Sequence, residues 1–178
     1  MGCGTGANIR LLIEEGFDVY GLDFSDQAIR ICERLYPDAV YSVADMMNPP
    51  FPDSKFDCVV DVFSTFCLDE KGFSIFLSEV KRILKRGGHF FSYTPSKASD
   101  AWNNYLPAKR IDNSTLDGIR RDTSPYYGNF YNYRFIEESD IKKICDKSFE
   151  LVYSEKVGRT YRNGQEYFEF LVFELRKK

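Results

Sequence analysis

Two periodicities alternate along the chain. Within Asn8–Glu15, Ile9, Leu12 and Ile13 recur at helical spacing, and Gly16 closes the stretch as a C-cap. The run FDVYGLD (17–23) is short and mixes β-branched with aromatic residues, which predicts a strand. Ser25 then reads as an N-cap for a helix with a stripe of Ala28, Ile29, Cys32 and Leu35, stopped before Pro37. AVYSVAD (39–45) predicts a second strand, and NPPFPDS a loop. KFDCVVDVF (55–63) is nearly all apolar around Cys58–Val60, as a strand buried on both faces would be. Residues 70–84 carry Phe73, Phe76, Leu77, Val80, Ile83 and Leu84 on one helical side; RGG breaks that helix, and HFFSY (89–93) is the next strand. After Pro95 the pattern loosens, until a helix at about 137–147. The tail from Phe149 reads as two strands joined around Asn163-Gly164, the strongest short hairpin signal.

Strands alternating with helices predict an α/β fold: a doubly wound, mostly parallel sheet with helices on both faces and an antiparallel hairpin strand at one edge. Residues 1–178 fit one domain. We divide it into a nucleotide-binding half (1–95), an insert (96–135, its loose part ending near 134) and a C-terminal helix and hairpin (136–178). Ligands of such sheets sit beyond the carboxyl ends of the strands.

Composition narrows the function. A net charge of −3 gives no electrostatic footprint for nucleic acid or an anionic membrane. Five cysteines without a C-x-x-C pair fit neither a disulfide framework nor a zinc site, so reduced thiols in a cytoplasm are expected. No apolar run reaches membrane-spanning length, and the start lacks a signal-peptide pattern.

Chemistry is expected at three strand tips. Gly2, Gly4 and Gly6 let a ligand approach the backbone and tolerate positive φ; alone they also suit a simple tight turn. Asp23 ends the next strand about 20 residues on, where a carboxylate accepts both hydroxyls of a ribose, or merely caps a helix beside Ser25. Asp45 ends the strand after that. It can accept from an exocyclic amine such as that of adenine, with Met46 or Met47 against the ring, or cap a loop.

GCGTG, VYGLDFS, VADMMNPPFPDSKFDCVVDVFSTF and FLSEVKRILKRGGHFFSY, in this order and spacing over residues 2 to about 93, resemble the Rossmann-like S-adenosylmethionine-dependent methyltransferases, especially the broad small-molecule group. PFPDSKFD and EVKRILKRGG are the more specific parts, and the hairpin fits that fold too. The resemblance implies that Gly2, Cys3, Gly4 and Gly6 lie against the methionine part of S-adenosylmethionine. Asp23, with Phe24 beside it, would hold the ribose. Asp45 and the Met46 backbone would hold the adenine. Phe63 and Ser64 would sit beside the cofactor and face the acceptor. The implied activity is methyl transfer to a small molecule, without metal.

Two departures follow from the same comparison. The family's first strand is absent, and so is the acidic residue two positions before the first glycine. That strand would lie between 17–23 and 55–63, leaving a gap of roughly twice the usual ~4.8 Å spacing. A fragment, or a late start in a longer gene, that binds cofactor poorly is therefore expected.

Two other readings compete. GCGTGA also satisfies the dinucleotide pattern G-x-G-x-x-A, which would make this an NAD-dependent oxidoreductase, with Tyr93 and Lys97 as a Y-x-x-x-K pair. Pro95 between them opposes the shared helix face that pair needs. A non-catalytic methyltransferase-like subunit is the third. The acceptor side is expected in the insert, with Tyr126, Tyr127, Tyr131 and Tyr133 forming either a lid or packing onto the sheet; Trp102 shares that ambiguity. His89, the lone histidine, is expected to be structural.

Overall fold

The computed structural model describes residues 1–145 and 148–178. The expected alternation is present: α1 (Ile9–Glu14), β1 (Tyr20–Asp23), α2 (Asp26–Leu35), β2 (Val40–Val43), β3 (Phe56–Val62), α3 (Glu70–Ile83) and β4 (Leu84–Pro95). Within the insert are α4 (Asp100–Asn103) and a small ladder of β5 (Thr115–Leu116) and β6 (Tyr133–Arg134), none of which the loose pattern announced. α5 (Glu138–Cys145), β7 (Phe149–Tyr161) and β8 (Glu166–Lys177) close the chain. The end of the helix expected over 137–147 lies outside the described residues.

Local chemistry sets the boundaries. Ser25 Oγ accepts from the Ala28 N–H and starts α2. Asp69 does the same for α3 through the Gly72 N–H at 2.7 Å. The β7–β8 turn places Arg162, Asn163 and Gly164 all at positive φ, where Asn and Gly are least strained.

β1 and β2 pair in parallel, as do β3 and β4. β8 runs antiparallel between β4 and β7, giving the order β3-β4-β8-β7. The hairpin thus contributes two antiparallel strands, with β7 at the edge. Strand β4 begins five residues earlier than HFFSY suggested. Phe56 pairs with Leu84 and Cys58 with His89, so Lys85–Gly88 bulge out of the ladder, and Gly87 takes φ +78°.

Among the described residues β1-β2 and β3-β4-β8-β7 form separate sheets, with no ladder between β1 and β3. This corrects one expectation: Cys58 is exposed rather than buried on both faces, because β3 has a strand partner on one side only. The main core packs Phe73, Phe76, Val80 and Ile83 of α3 against Phe90, Phe173 and Leu175 of the sheet. A second core gathers Trp102, Leu116, Tyr133, Phe135, Phe168 and Phe170 and seats the insert on β8.

Candidate functional site

Residues 1–3 run between the two sheets. The Met1 ammonium donates to Val60 O at 2.9 Å, and the Cys3 N–H to Leu22 O at 2.9 Å. The chain then turns, with the Gly6 N–H on Cys3 O and the Ile9 N–H on Gly6 O. The glycines of this turn play different parts. A methyl group built on Gly2 would lie 2.5 Å from Ser64 Cβ and 3.3 Å from Met46 Cε, so Gly2 permits close packing of two strand tips. Gly4 has φ +52° and open space where a side chain would stand, so its backbone is accessible to a ligand.

Asp23 ties this turn to β1. Its Oδ2 accepts from the Gly4 N–H at 2.7 Å and its Oδ1 from the Ser25 N–H at 2.9 Å. A carboxylate has roughly four lone-pair sites, so capacity remains for two further donors. The capping reading is met by the bond to the Ser25 N–H. The Ala44 N–H donates to Asp23 O, which brings the tip of β2 alongside. There Asp45 Oδ1 accepts from the Met47 N–H at 2.8 Å, closing the loop on itself. Met46 lies against Gly2, whereas Met47 sulfur faces Gly72 at the start of α3. At the tip of β3, Phe63 has φ +53° and donates its N–H to Tyr93 O, and Ser64 Oγ lies 2.9 Å from Met1 O. Gly2, Gly4, Asp23, Met46 and Ser64 are thus assembled by direct contacts. Cys3 contributes backbone only. Its thiol neighbours Cys32, and burial pushes its pKa up to about 12, so it is uncharged near pH 7. Phe24, beside Asp23, is 81% exposed.

An aromatic surface continues from Phe63. It stacks on Phe66 at 4.4 Å between centroids, and Tyr126, Tyr133 and Phe170 surround the pair at 5.5, 6.3 and 5.5 Å. Tyr133 is fully buried and Tyr126 partly so, and both pack between the insert and the sheet. Tyr131 reaches Phe66 at 6.0 Å from a half-exposed position, whereas Tyr127 pairs with Phe130 at the surface. Burial pushes the Tyr126 hydroxyl up to about 12 and that of Tyr133 higher, so both are neutral donors near pH 7 rather than bases. Trp102 packs against Phe135 and under the Arg110 guanidinium. His89 faces Glu174 at 2.5 Å, near the start of the β4–β8 pairing.

Sequence reasoning passed over Asp61. This carboxylate is wholly buried and accepts from Ser64 N and Oγ, Thr65 N and Oγ1, and Ser92 Oγ. It fixes the turn after β3 that carries Phe63 and Ser64. Its signal was visible, since one charged residue interrupts the apolar run CVVDVF. Arg134 was also missed. It is buried on the Phe73 ring at 3.5 Å, donates to Thr65 Oγ1, and its pKa is lowered to about 10 by desolvation.

Parallel strands with a glycine turn tied to Asp23 at the tip of β1 make a Rossmann-like fold, whose ligands as a class sit beyond the strand ends. Residues 1–92 match the model of a family described as "Methyltransferase domain", and the chain belongs to that family. The chain is 34% identical over 101 residues to a fatty-acid O-methyltransferase of Mycolicibacterium smegmatis, covering 54% of this chain and 36% of that protein. It is 35% identical over 92 residues to the 2-methyl-6-phytyl-1,4-hydroquinone methyltransferase of a Synechocystis strain, covering 49% and 28%. The chain thus matches only about a third of the length of these relatives. Among solved structures, a SAM-dependent methyltransferase of Methanosarcina mazei superposes with a TM-score of 0.80 at 23% identity, covering 99% of this chain and 89% of that one. The 1,6-didemethyltoxoflavin-N1-methyltransferase of Burkholderia thailandensis, solved with S-adenosylhomocysteine, gives 0.68 at 16% identity, covering 99% and 68%. These structural likenesses concern the fold.

Proposed function

We propose that the protein transfers a methyl group from S-adenosylmethionine to a small, apolar or aromatic acceptor. One observation carries this reading. The Gly4 N–H bonds the Asp23 carboxylate, Asp23 O takes the Ala44 N–H just before Asp45, and Met46 lies against Gly2. The donor set fits the cofactor, because remaining carboxylate capacity suits ribose hydroxyls and an exocyclic amine while the face of Gly4 is open. In this reading the turn Gly2, Cys3, Gly4 and Gly6 holds the amino-acid end, Asp23 the ribose, with Phe24 beside it, and Asp45 with the Met46 backbone the purine.

The cofactor supplies an already activated methyl group on a positively charged sulfur. What the chain supplies is position, and such proximity is worth up to about 10 kcal/mol of barrier. Phe63 and Ser64 stand between the cofactor side and the acceptor side, held there by Asp61. Phe66, Tyr126, Tyr131 and Phe170 form an aromatic wall that excludes water and matches an apolar acceptor. Tyr133, fully buried, packs the back of the wall, and Tyr127 lies at its rim. Names of relatives that act on a fatty acid and on a hydroquinone agree with an acceptor of this character. The NAD reading loses its second motif. Pro95 ends β4, Tyr93 stacks on Phe170 at 4.6 Å, and Lys97 pairs with Asp140 at 3.1 Å.

Calorimetric titration with S-adenosylhomocysteine tests the assignment. Asp23→Ala is expected to weaken binding at least tenfold, since hydrogen bonds to a charged group are worth about 1.5–3 kcal/mol each. Binding of NADH in its place would overturn the assignment.

A further inference from the structure

Strand β7 stands at the end of the four-stranded sheet, far along the chain from the strand tips. It pairs with β8 along one side, and its outer side carries no strand among the described residues. Every residue from Glu150 to Thr160 is exposed. Proteins commonly blunt such an edge with proline, an inward-pointing charge or a bulge. Here Val152 drops out of the register between Leu151 and Tyr153, and the regular ladder begins after it. From Tyr153 to Tyr161 the strand then runs without proline, for about 30 Å at ~3.3 Å per residue.

The order of side chains on this stretch, YSEKVGRTY, is mirrored about Val157. Tyr153 answers Tyr161, Ser154 answers Thr160, and Glu155 answers Arg159. Glu155, Val157 and Arg159 share one face of the sheet, opposite Val172, Phe170 and Phe168 of β8. Glu150 and Lys156 are held within the chain by Arg176 and Glu138, whereas Glu155 and Arg159 make no ion pair among the described residues. Arg159 lies over the ring of Tyr161, 5.3 Å from its centroid.

We propose that β7 is a self-association edge, which pairs antiparallel with β7 of a second copy about a two-fold axis through Val157. The register follows from symmetry and charge. Residues directly opposite in an antiparallel pair share a face, so a two-fold axis between identical strands passes through a residue. An axis through Glu155 or Lys156 sets two like charges against each other. An axis through Gly158 leaves Glu155 opposite Tyr161 and Arg159 opposite Val157. Only the axis through Val157 opposes Glu155 to Arg159, twice, while pairing Tyr153 with Tyr161 and Ser154 with Thr160. The two sheets then continue as one, with the inserts of both copies on the same side. A foreign strand would satisfy the backbone groups equally well; the mirrored side chains fit a copy of the strand itself.

Sedimentation equilibrium of the whole chain, from about 1 to 200 µM, tests this, with Glu155→Lys and Arg159→Glu each alone and the two mixed. The chain is expected to dimerise with a Kd on the order of 10 µM, as suits a small interface made largely by backbone. The amides of Tyr153–Tyr161 should exchange more slowly as concentration rises. Each reversal puts like charges opposite at both symmetric positions and is expected to weaken the dimer about tenfold or more. In an equimolar mixture of the two variants both positions again face opposite charges, so a heterodimer of about the original strength is expected. Both side chains are exposed, and matching melting curves check that the variants fold. A monomer over the whole range would overturn the proposal. So would a dimer that the reversals leave unchanged, or a mixture that associates no better than either variant alone. None of these readouts involves a methyl donor, so the result stands apart from the proposed activity.

Discussion

Asp23 does two jobs with one carboxylate. It holds the glycine turn through Gly4 and bonds the Ser25 N–H, which leaves acceptor capacity on both oxygens. Asp23→Asn keeps one acceptor oxygen, so its loss of S-adenosylhomocysteine affinity is expected to be smaller than that of Asp23→Ala in the same titration. Gly4→Ala places a side chain in the left-handed region, which costs about 1–2 kcal/mol, and fills the open face. Its binding is expected to fall by more than its Tm, whereas Gly2→Ala, against Ser64, should lose stability first. Tyr133 gives an opposite signature. Its hydroxyl is buried without a partner. Tyr133→Phe is therefore expected to stabilise the fold by about 1 kcal/mol in urea unfolding. A drop in turnover with that gain would place the hydroxyl on the acceptor.

At the scale of elements, the site depends on how β3 ends. Asp61 collects Ser64, Thr65 and Ser92 and stiffens the turn that carries Phe63. Asp61→Ala leaves several buried donors unpaired and is expected to cost about 3–5 kcal/mol by denaturant melting. The glycine turn, Asp23 and Asp45 were legible because their spacing follows strand-helix alternation. Asp61 was visible as a charge in an apolar run, but its role was not, since the run does not show how many hydroxyls surround it. The insert was illegible for another reason. β5 and β6 have two residues each, and their burial comes from distant Phe168 and Phe170 rather than from local periodicity. β3 misled in a related way. Its apolar run suits a strand covered on both faces, and the cleft between β1 and β3 leaves Cys58 exposed.

For the molecule as a whole, the two sheets and the strand tips are joined at Met1–Cys3, through the bonds of Met1 N to Val60 O and Cys3 N to Leu22 O. The central claim is that the Gly2–Gly6 turn, Asp23 and Asp45 form one cofactor site. Amide NMR during titration with S-adenosylhomocysteine tests it most directly, because weak binding remains visible. The amides of Gly4, Ser25, Met47 and Ser64 should shift together along one saturation curve, with NADH leaving them in place. Shifts confined to the cleft walls around Tyr20 and Val59, with those four unmoved, would contradict it.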